Sequence, residues 1–417
     1  MKSYNQALNI LKRNKIIFKN EYVKSSKCLK RVTAENIYAN VNYPAADNSA
    51  FDGFAINSVD TKNLSKKKGK FFKILGTIAA GTKPINKKKK KFETIEIMTG
   101  GVLPKGFNTV IPKEKIIYYP NKKIARCIFI NQKINKNENV RFKGSDYKKK
   151  DLVIKKGTIL EPNHILALKT LGIKSIKVKK IPNILFFSTG DELSNQDTIP
   201  NWKVRNSNSH YIQSVEKNLL FNFEYGGLLK DNDELVLKKK IQRIINSKID
   251  IIITSGAVSA GKFDYIPKVV KKFELLDYFK NVAIRPGKPI LFAKFKKRKK
   301  VFFGLPGNPI SSVACFRFFV FPYLLGSLNV EKEKSVKAVL RNNFVKDINF
   351  TRFMRGRLNT TKNGKLEVEI LKEQESFRVH SFVKSNIWTV LPSGKSKFKK
   401  NEIVDCFLPN QPNKILS

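Results

Sequence analysis

Five short stretches carry side chains able to do chemistry. Ser188–Leu193 reads STGDEL, a hydroxyl pair, a glycine and two acids, and Lys230–Glu234 reads KDNDE. Thr254–Tyr265 reads TSGAVSAGKFDY, small residues followed by Asp264; Gly304–Ser312 reads GLPGNPISS; Ala283–Phe292 reads AIRPGKPILF. Glycine and serine let main-chain N–H groups approach an anion closely, and a helix start adds a favourable dipole. Ser188, Thr189, Gly190, Ser255, Gly256, Ser259 and Gly307 are therefore candidates for an anion cradle, and Arg285 and Lys288 suit an oxyanion. Glu192 and Asp264 would repel a phosphate directly, so beside a cradle they make sense as ligands for a hard cation such as Mg²⁺. The combination points to phosphoryl or nucleotidyl chemistry with a bridging metal. Taken singly, STGDEL reads better as an Asx-type turn with a helix N-cap, GLPGNP as a tight loop and KDNDE as a solvated helix start. Several of them on one sheet edge is the stronger observation. Neither G-x-x-x-x-G-K-[ST] nor G-x-G-x-x-G occurs, which excludes a P-loop and a dinucleotide fold.

The elements around these stretches follow a β-α-β rhythm from Ile181 onward. Buried strand patterns (NILFFSTG, IDIIITSG, KVFFGLPG) alternate with amphipathic helices (NSHYIQSVEKNLLFN, DELVLKKKIQRIIN). Such alternation implies a parallel sheet with right-handed crossovers, which binds ligands beyond the carboxyl ends of its strands. Residues 1–45 read as a helix and an extended piece. From Asn57 to about Asn139, short β-rich runs separated by glycine, proline and lysine form a small β module, and helix EPNHILALKTLG follows. After about Gly326 the pattern is β again. The expected organisation is multidomain α/β plus β. It comprises 1–45 with 140–180 as an N-terminal α+β domain, 46–139 as an inserted β domain, 181–326 as a central three-layer α/β domain with a mostly parallel sheet, and 327–417 as a C-terminal β domain.

Composition narrows the function. The chain of 417 residues carries 82 Lys+Arg against 33 Asp+Glu, a formal net charge of +49. The basic runs are scattered, lysine far exceeds arginine, and aromatic residues do not interleave with them, which argues against a nucleic-acid surface and for solvated faces. Cys28, Cys127, Cys315 and Cys406 form no C-x-x-C pair and read as reduced thiols; with three scattered histidines they argue against zinc. The most lipophilic run, ACFRFFVFPYLLGSL, is broken by Arg317 and Pro322 and falls short of the roughly 18 residues a spanning helix needs. The start of the chain lacks the apolar core of a signal peptide. A cytoplasmic protein with no membrane segment is expected.

One stretch stays unexplained by this reading: PAADNSAFDGFAI, Pro44–Ile56, keeps two aspartates in a basic chain. Together with GTIAAGT, IMTGGVLPKGFNTVIPKE, FFSTGDEL, SGAVSAGKFDY, RPGKP and GLPGNP, in that order, it resembles the molybdopterin molybdenumtransferases, the bacterial MoeA and gephyrin E-domain family. The resemblance implies elongated homodimers of four-domain subunits. These take adenylylated molybdopterin and molybdate as substrates, cleave the phosphoanhydride with Mg²⁺, release AMP and leave molybdenum on the pterin dithiolene. It implies that Asp52 is the catalytic aspartate, presented by the β domain to the α/β cleft across the dimer, while Asp47 shapes the turn. Glu192 and Asp264 match acids near the nucleotide phosphates and the metal. Thr99 and Asp146 match functionally sensitive positions, Pro306 and Pro309 shape the GLPGNP loop, and Ser376 falls where the family usually has Gln-Gly-Ser. Departures include Phe51 for methionine, Ala257 for glycine, Arg285 for lysine and Lys30 for glycine. None removes a proposed catalytic group. Contacts with an upstream adenylyltransferase and with recipient apoproteins are also implied. The alternatives are an adenylyltransferase, which would not need the β insertion, and a non-catalytic scaffold or nucleic-acid-binding homologue, which would be expected to lose the acids.

Overall fold

The structure, a computed structural model, describes residues 1–83, 88–216, 221–231, 233–258, 265–296 and 299–412. Strands Asn183–Thr189, Ile251–Ser255 and Val301–Leu305 are almost continuously apolar, as strands covered on both faces must be. Successive side chains alternate between two cores. Ile184, Phe186, Ile251, Ile253 and Phe303 pack with Ile212 and Val215 of helix Asn208–Glu216. Leu185, Phe187, Ile252 and Phe302 pack on the other side with Leu237 and Ile241 of helix Glu234–Ile245 and with Val269 and Val270 of helix Ile266–Lys271. The result is three layers.

In this sheet the order is Asn222–Leu229, Asn183–Thr189, Ile251–Ser255, Val301–Leu305, Leu291–Phe295, Leu275–Lys280. The first four strands run parallel, and Leu291–Phe295 runs antiparallel to both its neighbours. The carboxyl ends of the four parallel strands therefore share one edge, and STGDEL, KDNDE, TSGAV and GLPGNP all emerge there.

The lipophilic run forms a longer helix than its arginine and proline suggest. Pro309–Ser327 is continuous over 19 residues, long and apolar enough by length and composition to cross a membrane, but 89% buried inside the fold. It is a core helix. Residues Phe316–Val320 take the wider π-helical turn, directly before Pro322, which cannot supply an interior helix N–H. Arg317, 3% exposed in side chain, donates to Glu333 at 2.6 Å and to the Leu408 carbonyl at 2.7 Å. Its guanidinium also lies over the rings of Phe318, Phe321 and Phe407. A charge that would break a lipid-facing helix is thus accommodated by protein.

The N-terminal helix Tyr4–Arg13, opened by a Ser3–Gln6 capping box, buries Ala7, Ile10 and Leu11 in the α/β core and not beside the N-terminal strands. Asn14 fastens it, donating to Asp277 at 2.8 Å and accepting from the Tyr323 hydroxyl at 3.0 Å. Three antiparallel pairings tie the segments flanking the β module together: Asn20–Lys24 with Ser175–Lys179, Ile37–Tyr38 with Leu152–Ile154, and Asn48–Ser49 with Val140–Arg141. Between them lies the module, a six-stranded sheet in which Gly53–Ile56 is flanked by Thr109–Pro112 and Glu93–Ile97. The C-terminal strands close on themselves: Thr351–Thr360 pairs with both Leu366–Ile370 and Ile387–Leu391, and the ring continues through Ile403–Phe407 and Val336–Leu340. Ile284–Arg285 adds to this barrel in parallel with Thr351–Arg352, joining it to the α/β unit.

Removing one partner of a buried ion pair leaves the other charge desolvated, at a cost of about 3–5 kcal/mol. Arg317→Met should therefore lower the urea midpoint strongly. The double variant Arg317→Met/Glu333→Leu should recover most of the loss, because both charges are then gone.

Candidate active site

At the shared strand edge, loops from distant parts of the chain are stitched by side-chain hydrogen bonds. The Ser188 hydroxyl, 1% exposed, donates to Asn206 at 2.7 Å, and the Thr189 hydroxyl donates to the Ser255 carbonyl at 2.9 Å. The Ser255 hydroxyl donates to the Pro306 carbonyl at 3.2 Å and accepts from Asn208, whose amide also reaches the Gly307 carbonyl at 2.8 Å. Asn308, the residue before the helix that starts at Pro309, donates to the Ser376 hydroxyl at 3.0 Å, and the Ile310 amide reaches the Ser376 carbonyl at 3.2 Å. Ser376 thus docks a loop of the C-terminal barrel onto the helix start. The structure brings Ser188, Thr189, Ser255, Pro306, Gly307 and Ser376 into one net, with Pro309 opening the helix beside it.

Gly190 and Gly256 belong to the same floor, but their amides are engaged, donating to the carbonyls of Leu229 (3.0 Å) and Leu305 (2.9 Å). They shape the loops instead of presenting free N–H groups. Gly256 has φ +104°, and a β-carbon there would lie 2.3 Å from the Thr189 carbonyl oxygen. Its neighbour Ala257 sits at φ +50°, a left-handed conformation that glycine would adopt without strain. The RPGKP turn packs onto the start of the long helix: a β-carbon at Gly287 would meet the Cys315 sulfur at 2.4 Å. Arg285 and Lys288 are exposed on that turn, and the Arg285 guanidinium lies 4.3 Å from the Phe350 ring centre.

Asp52 lies in the β module, at the entry to strand Gly53–Ile56, with its side chain 37% exposed. One carboxylate oxygen accepts from both the amide and the hydroxyl of Thr99, each at 2.8 Å; the other pairs with the Lys113 ammonium at 3.1 Å. The Thr99 amide first, then its hydroxyl, then Lys113 hold the carboxyl down to about 2. Lys113 in turn is raised by Asp52. Asp47 does different work, accepting from the Lys143 amide at 2.8 Å and so tying the Asp146 loop to the segment before Asp52. The Asp146 amide donates to the Tyr43 carbonyl at 3.1 Å, and Asp146 is exposed. Among the described residues, no hydrogen bond or ion pair joins the Asp52–Thr99–Lys113 group to the strand-edge net.

Glu192 is exposed on the first loop, its carbonyl accepting from the Val204 amide at 2.7 Å. Asp264 and Ser259 lie outside the described residues. The KDNDE loop lies beside STGDEL, the Asp231 amide donating to the Asp191 carboxylate at 3.3 Å. Burial first, then the charges of Asp233, Asp231 and Asp191, push the Tyr265 hydroxyl up. Among the described residues, no three His, Cys, Asp or Glu side chains converge as a metal cage. The exposed Glu192 carboxylate is of the kind Mg²⁺ takes, one or two together with substrate phosphates and water.

Sequence reasoning missed Lys113, which lies 61 residues from Asp52 and is brought to it by the pairing of Gly53 with Pro112. It also missed Arg352, paired in register with Arg285 and lowered by burial and then by that neighbouring charge. In so basic a chain neither cation stands out. The one usable signal was Lys113 in VIPKE, within a stretch already singled out.

Comparison with known proteins agrees with this architecture. Residues 2–172 match the MoeA N-terminal region (domain I and II), 186–326 a probable molybdopterin binding domain, and 337–408 the MoeA C-terminal region (domain IV). The molybdopterin molybdenumtransferase of Staphylococcus aureus (strain Mu50) is 34% identical over 388 residues, covering 92% of this chain and 89% of that protein. That of Staphylococcus epidermidis (strain RP62A) is 30% identical over 411 residues, covering 97% and 95%. The crystal structure of the molybdopterin biosynthesis moeA protein from Pyrococcus horikoshii OT3 superposes with a TM-score of 0.82 at 26% identity, over 98% of this chain and 100% of that one. With sequence and fold alike along nearly its whole length, the chain belongs to the MoeA family of molybdopterin molybdenumtransferases, transferases of molybdenum cofactor biosynthesis.

Proposed function

We propose that this transferase acts on adenylylated molybdopterin and molybdate: a water oxygen attacks phosphorus, the bridging P–O bond breaks to give AMP and the pterin phosphate, and two Mo–S bonds form at the dithiolene as one molybdate oxygen leaves as water with the two thiol protons, molybdenum keeping its oxidation state. The observation that carries this reading is the net joining Ser188, Thr189, Ser255, Pro306, Gly307 and Ser376 at the strand edge, flanked by Arg285 and Lys288. Gly307 in the loop before the helix suits an oxyanion, with Arg285 and Lys288 opposing its charge; Pro309 has no N–H and the Ile310 amide is held by the Ser376 carbonyl. Gly190 and Gly256 set the loop shapes. Glu192 would hold Mg²⁺, and Asp264 and Ser259, which lie outside the described residues, are the further candidates offered by the sequence. When bound, the ion neutralises phosphate charge.

Asp52 is the catalytic carboxylate in this reading, with Thr99 fixing it and Asp146 on the adjoining loop. A carboxylate held at about 2 is a poor proton acceptor near neutral pH, so its fitting work is to orient the attacking oxygen and present negative charge. In this reading the protein is a homodimer in which each site joins the β domain of one subunit to the α/β domain of its partner, as the family resemblance implies. The domain division 1–45 with 140–180, 46–139, 181–326 and 327–417 belongs to the same proposal. Four free thiols support a reducing, cytoplasmic setting. The scattered positive charge favours encounter with two anionic substrates.

AMP release from adenylylated molybdopterin with Mg²⁺ tests the reading. Release stimulated by molybdate, and lowered about 10²-fold in Asp52→Asn through lost orientation of the attacking oxygen, is expected; no release by the folded wild type would overturn it. The Asp52 carboxyl is ionised down to pH values well under the ordinary carboxylate range, so no acid limb of activity above pH 4 should originate from it. What it adds to stability is present above the unfolded-state value near 3.9 and disappears as pH falls through about 2. Thr99→Val, which deletes one of the two Thr99 hydrogen bonds, should move the carboxyl titration upward in an NMR pH series. Mixing Asp52→Asn with Lys288→Ala subunits tests the shared site. Random exchange makes half the dimers mixed and restores one intact site in each, so about a quarter of wild-type activity returns if the halves come from different subunits. A site contained in one subunit returns none.

A further inference from the structure

The chain has two tryptophans with opposite fates. Trp388 is 1% exposed in the barrel, against Phe318 of the long helix, whereas Trp202 is 74% exposed. An indole left in water is uncommon unless something covers it.

Trp202 stands on a segment whose backbone is firmly held. Val204–Arg205 pairs in parallel with Leu193–Ser194, and the Val204 amide donates to the Glu192 carbonyl at 2.7 Å. The Lys203 ammonium donates to the Asp191 carbonyl, and the Arg205 guanidinium to the Asp197 carbonyl at 3.0 Å. From there the segment crosses the site, Asn206 bonding Ser188 and Asn208 bonding both Ser255 and the Gly307 carbonyl. Two extended residues span at most about 7 Å and six about 20 Å, which bounds how far the Trp202 backbone can lie from the Glu192 loop and from Asn208.

We propose that Trp202 is a substrate-binding residue, a stacking platform for a planar heteroaromatic ring of the substrate at the rim of the α/β site. This rests on the reading of the substrate as an adenylylated pterin, which carries such a ring on each side of its phosphates. Serine, threonine, asparagine, proline and glycine dominate the net, so an aromatic face must come from beside it, where Tyr225, whose hydroxyl accepts from Asn206 at 2.9 Å, and the exposed Phe377 next to Ser376 are the other candidates. The indole supplies that face on a clamped strand, so little ordering is needed on binding. Loss of a base–aromatic stack corresponds to about a ten- to hundredfold weakening.

The test uses the full chain. Because Trp388 is buried, acrylamide, a neutral quencher that the positive protein does not concentrate, reads Trp202. Saturating AMP and, separately, a free pterin are added. Shielding by AMP assigns the adenine and shielding by the pterin assigns the pterin; either supports the proposal. Trp202→Ala should raise KM for AMP release about ten- to hundredfold with kcat within about twofold, and Trp202→Phe should restore part of the affinity. Blue-shifted Trp388 emission confirms that both variants are folded. No shielding by either ligand together with an unchanged KM overturns the proposal while leaving AMP release intact. Quenching that depends on protein concentration and not on ligand also overturns it, by assigning the indole to a subunit contact. If the wild type releases no AMP, the shielding measurements still decide whether Trp202 binds the ring.

Discussion

The carboxyl ends of Asn183–Thr189 and Ile251–Ser255 approach so closely that a β-carbon on Gly256 would lie 2.3 Å from the Thr189 carbonyl oxygen. The Thr189 hydroxyl can reach the Ser255 carbonyl, and Ser255 the Pro306 carbonyl, only because that space is left open. Two glycines, at 256 and 287, thus set how tightly the α/β loops converge, the second letting the RPGKP turn settle on Cys315. Parallel strands make this possible, since they bring several loops to the same edge. Ala257 shows the pressure on the backbone beside it, holding a left-handed conformation with a methyl group attached.

The acidic knot in a chain of net charge +49 has a physical account. Asp52 is surrounded by donors that favour its charged form: an amide, a hydroxyl and an ammonium, on residues 47 and 61 positions away. Such a group keeps its charge over nearly the whole accessible pH range and resists use as a proton store. Its neighbour Asp47 is spent on architecture, holding the Lys143 amide. Two aspartates five residues apart have separate duties, and the hydrogen-bond partners are what separates them.

Much of this was legible in the sequence because it is written in local patterns. The continuous apolar run Ile184–Phe187 and the small-residue loops after the strands announce a doubly covered sheet with its loops at one edge. The order of the motifs carried the family resemblance. What stayed hidden depends on tertiary placement. Lys113 becomes Asp52's partner through a strand pairing, and Arg317 becomes tolerable through Glu333 and Leu408. Helix Tyr4–Arg13 joins the α/β core because Ala7, Ile10 and Leu11 find it, a destination no periodicity encodes. Glycine composition likewise could not say that the amides of Gly190 and Gly256 are already committed to carbonyls.

The wide turn at Phe316–Val320 has a consequence for how the molecule can vary. The long helix starts at the strand-edge loops, where Asn308 meets Ser376, and near its far end Tyr323 meets Asn14. Each residue of an α-helix turns its successors by about 100°, so one residue gained or lost between those contacts would swing the far end off its docking groove. The π stretch is where such a length change is absorbed, and it acts as the phase adjuster of a shaft whose two ends engage different gears.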